Sequence, residues 1–151
     1  MTRSMNWLIV IPFVFALVII GVAFGPKGQP QVGSVDGRLR TCPESPNCVC
    51  SEAGEREMAS IAPLSFAGSA GAAWTKAKEA IVAAGGEIQL ADDGYLWATF
   101  TTRWMRFVDD VELRMDAEHQ VIQIRSASRV GYSDMGVNRE RVERLRALFG
   151  K

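Results

Sequence analysis

The residues of this sequence that could do chemistry are polar side chains gathered between positions 109 and 139. Asp109 falls on the same face of a predicted strand as the apolar residues 107, 111, 113 and 115, so its carboxylate is expected to point inward. A buried carboxyl group must find donors or stay protonated, and both conditions are typical of a general acid or base. Asp109 is therefore the candidate catalytic residue. The candidate ligand-binding residues are Arg125, Ser126, Ser128, Arg129, Tyr132, Asp134, Asn138 and Arg139.

The same residues also have a structural interpretation. Ser133, Asp134 or Asn138 can cap a helix that begins near residue 137. The arginines and glutamates that alternate over residues 139–146 are typical of a solvated helix face. Because structural ion networks perturb carboxylates much as active sites do, we favour the structural interpretation over the catalytic one.

Several kinds of chemistry find little support in the composition. The chain of 151 residues has one histidine, His119, which falls in a predicted hairpin loop, so no catalytic triad is indicated. We predict no metal site and no cofactor. The chain carries 17 basic and 17 acidic residues, and the acids alternate with the arginines, which argues against nucleic acid as a partner.

Three cysteines lie close together at positions 42, 48 and 50. Two prolines and an asparagine between Cys42 and Cys48 bend the chain back, so these two residues could form a disulfide. Free thiols are one alternative, and a metal site of three thiolates with His119 is another, although the spacing lacks the paired C-x-x-C pattern of zinc sites. A disulfide would place the domain in an oxidising compartment outside the cytoplasm.

The elements that must position these residues follow from hydrophobic periodicity and turn residues. The pattern predicts an α+β fold, in which two helices pack in two layers with an antiparallel sheet of four to five strands. The strands are predicted at residues 61–66, 87–91, 95–102, 107–115 and 120–130, and the helices at residues 70–84, with Ser69 as the cap, and 137–149.

The hairpin formed by residues 107–115 and 120–130 has a predicted register. Pairing Leu113 with Ile122 and Asp110 with Arg125 keeps apolar residues opposite apolar residues. In this register Asp110 and Glu112 lie near Arg125 and form an exposed ladder of opposite charges on the outer face. The predicted partner of the inward Asp109 is one of three arginines: Arg129, Arg139 or Arg106.

The N-terminal part of the chain is strongly apolar. Residues 7–24 carry no charge and would span about 27 Å as a helix, enough to cross a bilayer core. We predict a transmembrane anchor over residues 1–25, with a signal peptide as the alternative, then a flexible linker over residues 26–41 and a globular domain over residues 42–151. Membrane lipid is thus a predicted partner. Positive charges flank both sides of the apolar segment and give no clear orientation.

Three motifs resemble a known family. They are Cys-Pro-Glu-Ser-Pro-Asn-Cys-Val at 42–49, Arg-Phe-Val-Asp-Asp-Val-Glu at 106–112, and Arg-Ser-Ala-Ser-Arg-Val-Gly-Tyr-Ser-Asp-Met-Gly-Val-Asn-Arg at 125–139. In them the sequence resembles domain of unknown function 1499, a family of bacteria and plastid-bearing plants. The resemblance covers residues 42–149 and implies one domain, often membrane-anchored or exported, in which the three motifs lie close together. The family pattern implies serine at position 50, so Cys50 is a poor candidate for a shared site.

Two functions are compatible with these patterns. The first is a non-catalytic binding or assembly module, held at the bacterial inner membrane by one span, with its domain in the periplasm and an unknown protein or small molecule as partner. The alternative is a hydrolase-like or other enzyme that acts on an anionic small molecule through Asp109 and the arginine cluster. A cavity beside Asp109 would favour the enzyme, and a packed, ion-paired Asp109 would favour the binding module.

Overall fold

The computed structural model describes residues 11–12, 28–103 and 105–151. The predicted transmembrane helix, over residues 7–24, lies outside these ranges except for residues 11–12. Within the described parts of the chain, no helix combines the length and the apolar character needed to cross a membrane.

The domain has the α+β architecture predicted from the sequence, with two helices and mostly antiparallel strands. Its elements, in chain order, are β1 (Ser34–Val35), β2 (Arg38–Leu39), β3 (Cys48–Cys50), β4 (Leu64–Ser65), α1 (Ala70–Ala83), β5 (Glu87–Ala91), β6 (Tyr95–Thr101), β7 (Val108–Asp116), β8 (Val121–Ser128) and α2 (Val137–Phe149).

The main sheet has six strands, so the prediction of four to five was too low. The strands run in the order β3-β8-β7-β6-β5, and β4 pairs with a different part of β8. The additional strand is β3, where Val49 lies opposite Ser126. Its residues were assigned from sequence to a cysteine-containing loop, because a strand of three residues is too short to show an alternating pattern.

The two helices pack on one face of the sheet and enclose the apolar core. Helix α1 begins where predicted, since the Ser69 hydroxyl accepts a hydrogen bond from the Ala72 amide at 3.2 Å. The core side chains come from both helices and from alternate positions of the strands, as period-two and helical patterns require. They include Trp74, Ile81, Leu96, Ala98, Val111, Leu113, Ile122, Ile124, Val142 and Leu145.

The β7–β8 hairpin is formed as predicted but in a register shifted by two residues. Leu113 pairs with Ile124 and Asp110 with Ala127, whereas Ile122 and Arg125 were the predicted partners. The loop begins one residue later than predicted, because the Asp116 carboxylate accepts the His119 amide at 3.2 Å and stays at the end of β7. A shift by two keeps every side chain on its predicted face.

The second face of the sheet is covered by chain that precedes and follows β3. Strands β1 and β2 form a separate two-stranded sheet within residues 26–41, the range predicted as a linker. Leu39 in β2 is buried, and its amide donates to the Glu52 carboxylate at 3.1 Å. This layer buries charged residues of β7 and β8 that the sequence predicted to be exposed.

Candidate functional site

The structure divides the predicted polar cluster between the two faces of the sheet. Asp109, Ser126 and Ser128 point toward the helices, and Asp110 and Arg125 point toward the N-terminal layer. Neighbouring residues of a strand project to opposite faces, so residues adjacent in sequence take part in different clusters. We call these the helix-side cluster and the outer-face cluster.

Asp109 is the carboxylate of the helix-side cluster. It is 4% exposed, as its place in the alternation predicted. Its partner is Arg141, whose Nη2 lies 2.5 Å from Asp109 Oδ2, so the predicted pairing with Arg129, Arg139 or Arg106 is wrong. Arg141 also lies over the Phe100 ring, 4.9 Å from its centroid.

Asn138 connects the helix-side cluster to the rest of the domain. Its Oδ1 accepts from Ser126 Oγ at 2.6 Å and from Arg141 Nη1 at 2.6 Å. Its Nδ2 donates to the Asn47 carbonyl and to Ser128 Oγ, both at 2.9 Å. The side chain is 0% exposed with its hydrogen-bonding groups engaged, which is the arrangement of a structural network.

Three other predicted site residues contribute no side-chain contact to the carboxylates of the two clusters. Asp134 stabilises the start of α2, because its two carboxylate oxygens accept the Gly136 amide at 3.0 Å and the Asn138 amide at 2.7 Å. Arg139 donates to the carbonyl groups of residues 58 and 60 at 3.0 and 2.9 Å. Tyr132 is 78% exposed.

Asp110 accepts three donors in the outer-face cluster. Arg129 donates through Nε at 2.9 Å and Nη2 at 2.8 Å, and Trp97 Nε1 donates at 2.8 Å. The hydrogen bonds with Asp110 raise the pKa of Arg129. Asp110 is 3% exposed, so the prediction of an exposed residue paired with Arg125 is wrong, because the N-terminal layer covers this face.

Glu112, the other acid of the predicted ladder, is the one that pairs with Arg125. Its Oε2 lies 2.8 Å from Arg125 Nη1, and its Oε1 accepts from the Tyr95 hydroxyl and the Gly33 amide, both at 2.7 Å. The pKa of Tyr95 is raised by burial and by the adjacent Glu112 carboxylate. Gly33 comes from the N-terminal layer. The pattern of residues in the strands therefore does not predict this contact.

Two charged residues of this face, Glu52 and Arg114, were not among the predicted site residues. Glu52 receives Arg114 Nε at 2.8 Å and Nη2 at 3.1 Å, in a two-pronged pair that raises the pKa of Arg114. The alternation of β7 places Arg114 on the same face as Glu112, which was a usable signal. Glu52 lies in an irregular segment, where no periodicity marks its direction.

The three cysteines adopt the predicted disulfide arrangement. Cys42 and Cys48 are bonded, with their Cα atoms 5.6 Å apart. Cys50 is a buried free thiol, and burial raises its pKa to about 11. The thiolate form required for attack or metal binding is therefore scarce at neutral pH.

A cavity of about 220 Å³ opens between the disulfide loop and the outer face of the sheet. We call it the outer-face cavity. Its walls contain Asp110, Arg125 and Arg129, together with Ser45 and Asn47 of the disulfide loop. Within the described residues, Arg125 Nε is the one fully buried side-chain nitrogen or oxygen without a hydrogen-bond partner. Arg125 also lines a second cavity, of about 460 Å³, beside β2.

The cavity on the helix side offers Asp109 no such access. It measures about 290 Å³ and is lined by Phe100, Arg141 and Arg144 among others, but not by Asp109. The guanidinium of Arg141 thus separates the carboxylate from this space.

A protein-family model matches most of the domain. Residues 38–149 match the family described as protein of unknown function DUF1499. No curated protein matches the chain. All three motifs that carry the resemblance meet in the fold, since Asn138 of the third motif binds Asn47 of the first, and Arg129 of the third binds Asp110 of the second.

Proposed function

The chain belongs to this family of unknown function, and from that premise we propose that it is a non-catalytic binding module on the periplasmic side of a bacterial inner membrane. Its N-terminal segment serves as a single-pass anchor, and its outer-face cavity binds a small anionic group of a protein or of a small molecule.

The membrane location has two supports. Residues 7–24 are uncharged over a length that suits a bilayer core. The Cys42–Cys48 disulfide fits an oxidising compartment, and the periplasm is such a compartment. Together they favour an outward-facing domain, although the charges flanking the apolar segment do not decide the orientation.

The unpaired Nε of Arg125 is the observation that carries the binding site. Burying a guanidinium nitrogen without an acceptor is costly, and such groups in folded proteins are usually satisfied by an ordered water or a ligand. Two arginines and one aspartate of the outer-face cluster line the cavity. Arg129 is paired with Asp110 and Arg125 with Glu112, so the wall offers guanidinium groups without a large net charge. Because Nε is fully buried in the present arrangement, a carboxylate or phosphate oxygen in the cavity would supply the missing acceptor after a small movement of the Arg125 side chain. Arginine suits such groups geometrically.

The catalytic alternative is less well supported. Asp109 is held by Arg141 and is excluded from the neighbouring cavity, whereas a general acid or base must come within hydrogen-bond reach of its substrate. Use of Asp109 would first require that Arg141 move away and leave a buried carboxylate without its cation.

Thermal unfolding of the full chain in mild detergent tests the binding site, with inorganic phosphate as the probe. We expect phosphate to raise the melting temperature by several degrees relative to chloride at equal ionic strength, since a ligand at about 100 times its dissociation constant stabilises by about 2.7 kcal/mol. Ala127→Val narrows the cavity without changing a charge and should remove this effect. Ala117→Val, in the exposed β7–β8 loop, should retain it.

Equal melting temperatures in the two salts, or the same gain in the Ala127→Val variant, would contradict the binding site.

Membrane location is tested separately. The full chain should remain in the membrane after carbonate extraction, and alkaline phosphatase fused after Lys151 should be active. A soluble mature form, or activity only of a cytoplasmic reporter at the same position, would contradict the proposed anchor or its orientation.

A further inference from the structure

Two loops lie side by side at one end of the sheet. The β6–β7 loop closes with a hydrogen bond from the Thr102 amide to the Phe107 carbonyl at 2.9 Å. The β8–α2 loop begins beside it, since the Arg129 amide donates to the Val108 carbonyl at 3.2 Å. The described residues of both loops therefore form one rim of the domain.

This rim exposes apolar side chains. Met135 is 97% exposed and Tyr132 78%, and Val137 and Met105 are also exposed. Met135 has a positive φ of 54°, a conformation that is costly for a long side chain and that here directs it into solvent. These apolar side chains do not pack in the core of the domain, so the stability of the fold does not explain their apolar character.

The rim also carries exposed positive charge. Arg103 and Arg106 in the β6–β7 loop are exposed, and neither forms an ion pair with a described residue. Asp134, which lies between Tyr132 and Met135 in the sequence, has both carboxylate oxygens occupied by the backbone amides of Gly136 and Asn138. Exposed apolar side chains beside unpaired arginines form a surface that suits the interface of an anionic lipid bilayer.

Gly28, the first described residue after the N-terminal segment, lies at the same end of the sheet. A Cβ atom on Gly28 would lie 2.8 Å from the Arg129 carbonyl oxygen and 3.0 Å from Val130 Cγ1, so the backbone of Gly28 packs against the residues that follow β8. The uncharged stretch ends at Phe24. Four residues span at most about 14 Å, a length that is compatible with a rim facing the membrane of the proposed anchor.

We propose that the rim formed by residues 103, 105, 106, 132, 135 and 137 rests on the surface of the membrane that holds the N-terminal segment. Tyr132 and Met135 lie among the lipid headgroups, and Arg103 and Arg106 lie next to the phosphates of anionic phospholipids. This inference rests on the anchor of the proposed function and adds to it one defined orientation of the domain.

Depth-dependent quenching on the full chain tests this orientation. The chain is reconstituted in vesicles of phosphatidylcholine and phosphatidylglycerol, with a bimane label at Met135→Cys or, as a matched control, at Ala117→Cys. Ala117 is exposed at the opposite end of β7, about 30 Å away. The wild-type chain, whose Cys50 is buried, gives the labelling background. A headgroup nitroxide lipid should quench the label at 135 several-fold more than the label at 117.

The contribution of charge is tested in the same vesicles. Arg103→Gln with Arg106→Gln should reduce the quenching at 135 when phosphatidylglycerol is present and should change it little in phosphatidylcholine alone. If the chain floats with the vesicles but the two labels are quenched equally, the proposed orientation is overturned. The proposed anchor is not affected by that result. A chain that does not float with the vesicles would overturn the anchor, and the orientation with it.

Discussion

Asp109 and Asp110 are adjacent in the chain and are buried against different arginines on opposite faces of one sheet. Removing either carboxylate leaves a largely buried guanidinium without its partner. The guanidinium belongs to Arg141 in the case of Asp109 and to Arg129 in the case of Asp110. Asp109→Ala and Asp110→Ala should therefore both lower the free energy of unfolding by about 3–5 kcal/mol, the usual loss when one partner of a buried pair is removed. Urea unfolding of the full chain in mild detergent measures both.

The matched control is an exposed pair. Glu143 lies 3.1 Å from Arg146 on the outer side of α2, and Glu143→Ala should cost under about 1 kcal/mol because solvent screens the interaction. A small loss for Asp110→Ala, similar to that of the control, would show that the N-terminal layer does not bury this residue in solution.

His119 provides a pH-dependent test at a single residue. Its ring Nδ1 lies 2.9 Å from Asp116 Oδ1, and this hydrogen bond raises the pKa of His119 above 6.5 and lowers the pKa of Asp116 below 3.8. The stabilisation that His119 gives is complete below its unfolded pKa and is lost as the pH rises through the folded pKa. The Asp116 contribution is present above its unfolded pKa and is lost as the pH falls through the folded one.

A proton NMR titration of untagged protein measures this directly, because the chain has one histidine. Asp116→Asn should return the pKa of His119 to about 6.5. Identical titration curves for the wild type and this variant would refute the ion pair.

The inward direction of Asp109 could be predicted because strand alternation requires nothing beyond the local sequence. Its partner could not. Arg141 belongs to a run of charged residues in α2 that is typical of a solvated face, and only the packing of α2 on the sheet brings it to the carboxylate. A contact between distant segments depends on a docking angle, which periodicity does not encode.

Among the elements, the junction of α1 and β5 is closely packed at one glycine. A Cβ atom on Gly86 would lie 2.6 Å from Phe100 Cζ and 2.9 Å from Ile81 Cγ2, both in or against the core. Gly86→Ala should therefore destabilise the protein by about 1–3 kcal/mol through overpacking.

Gly71 is the control for this substitution. It lies in the first turn of α1, no atom lies within 4 Å of its Cβ position, and Gly71→Ala should be neutral or stabilise by up to about 1 kcal/mol. In thermal unfolding, the melting temperature should fall for Gly86→Ala and should rise or stay unchanged for Gly71→Ala. A neutral Gly86→Ala would mean that Phe100 moves aside without cost.

Long elements with a clear period could be predicted and short ones could not. Helix α1 and strand β5 have their predicted positions because caps, turns and periodicity agree. Residues 61–66 were predicted as a strand, but only Leu64–Ser65 pairs with β8. A strand of two or three residues owes its conformation to its partner strand, so the sequence carries little signal for it.

For the whole molecule, the disulfide closes the loop that carries the first motif. The two cysteines have a sequence separation of 6, and the chain-entropy model gives about 2 kcal/mol for a closed loop of this length. The double variant Cys42→Ala/Cys48→Ala should lose that amount in urea unfolding. Reductant should lower the stability of the wild type equally and leave the double variant unchanged, whereas a wild type insensitive to reductant would contradict this role.

The α+β class and the number of helices could be predicted because they depend on the order of elements along the chain. The layer that covers the outer face could not. Residues 28–41 contain glycine and proline and lack apolar periodicity, yet Leu39 is buried and Gly33 donates to Glu112. The conformation of such a segment depends on its contacts with the sheet that it covers. The sequence therefore did not show that this segment buries the outer-face cluster, and the cluster was predicted to be exposed to solvent.

The register in which β7 pairs with β8 depends on the N-terminal layer. A hairpin that slips by two residues keeps its hydrophobic side chains on the same face, so the core barely distinguishes the two registers. In the slipped register Asp110 would face Arg125 and Glu112 would face Gln123, leaving two carboxylates to share one arginine. In the open hairpin, water weakens this difference to a few tenths of a kcal/mol. Mispairing becomes costly when residues 31–39 exclude water, so the N-terminal layer favours the observed register of the hairpin.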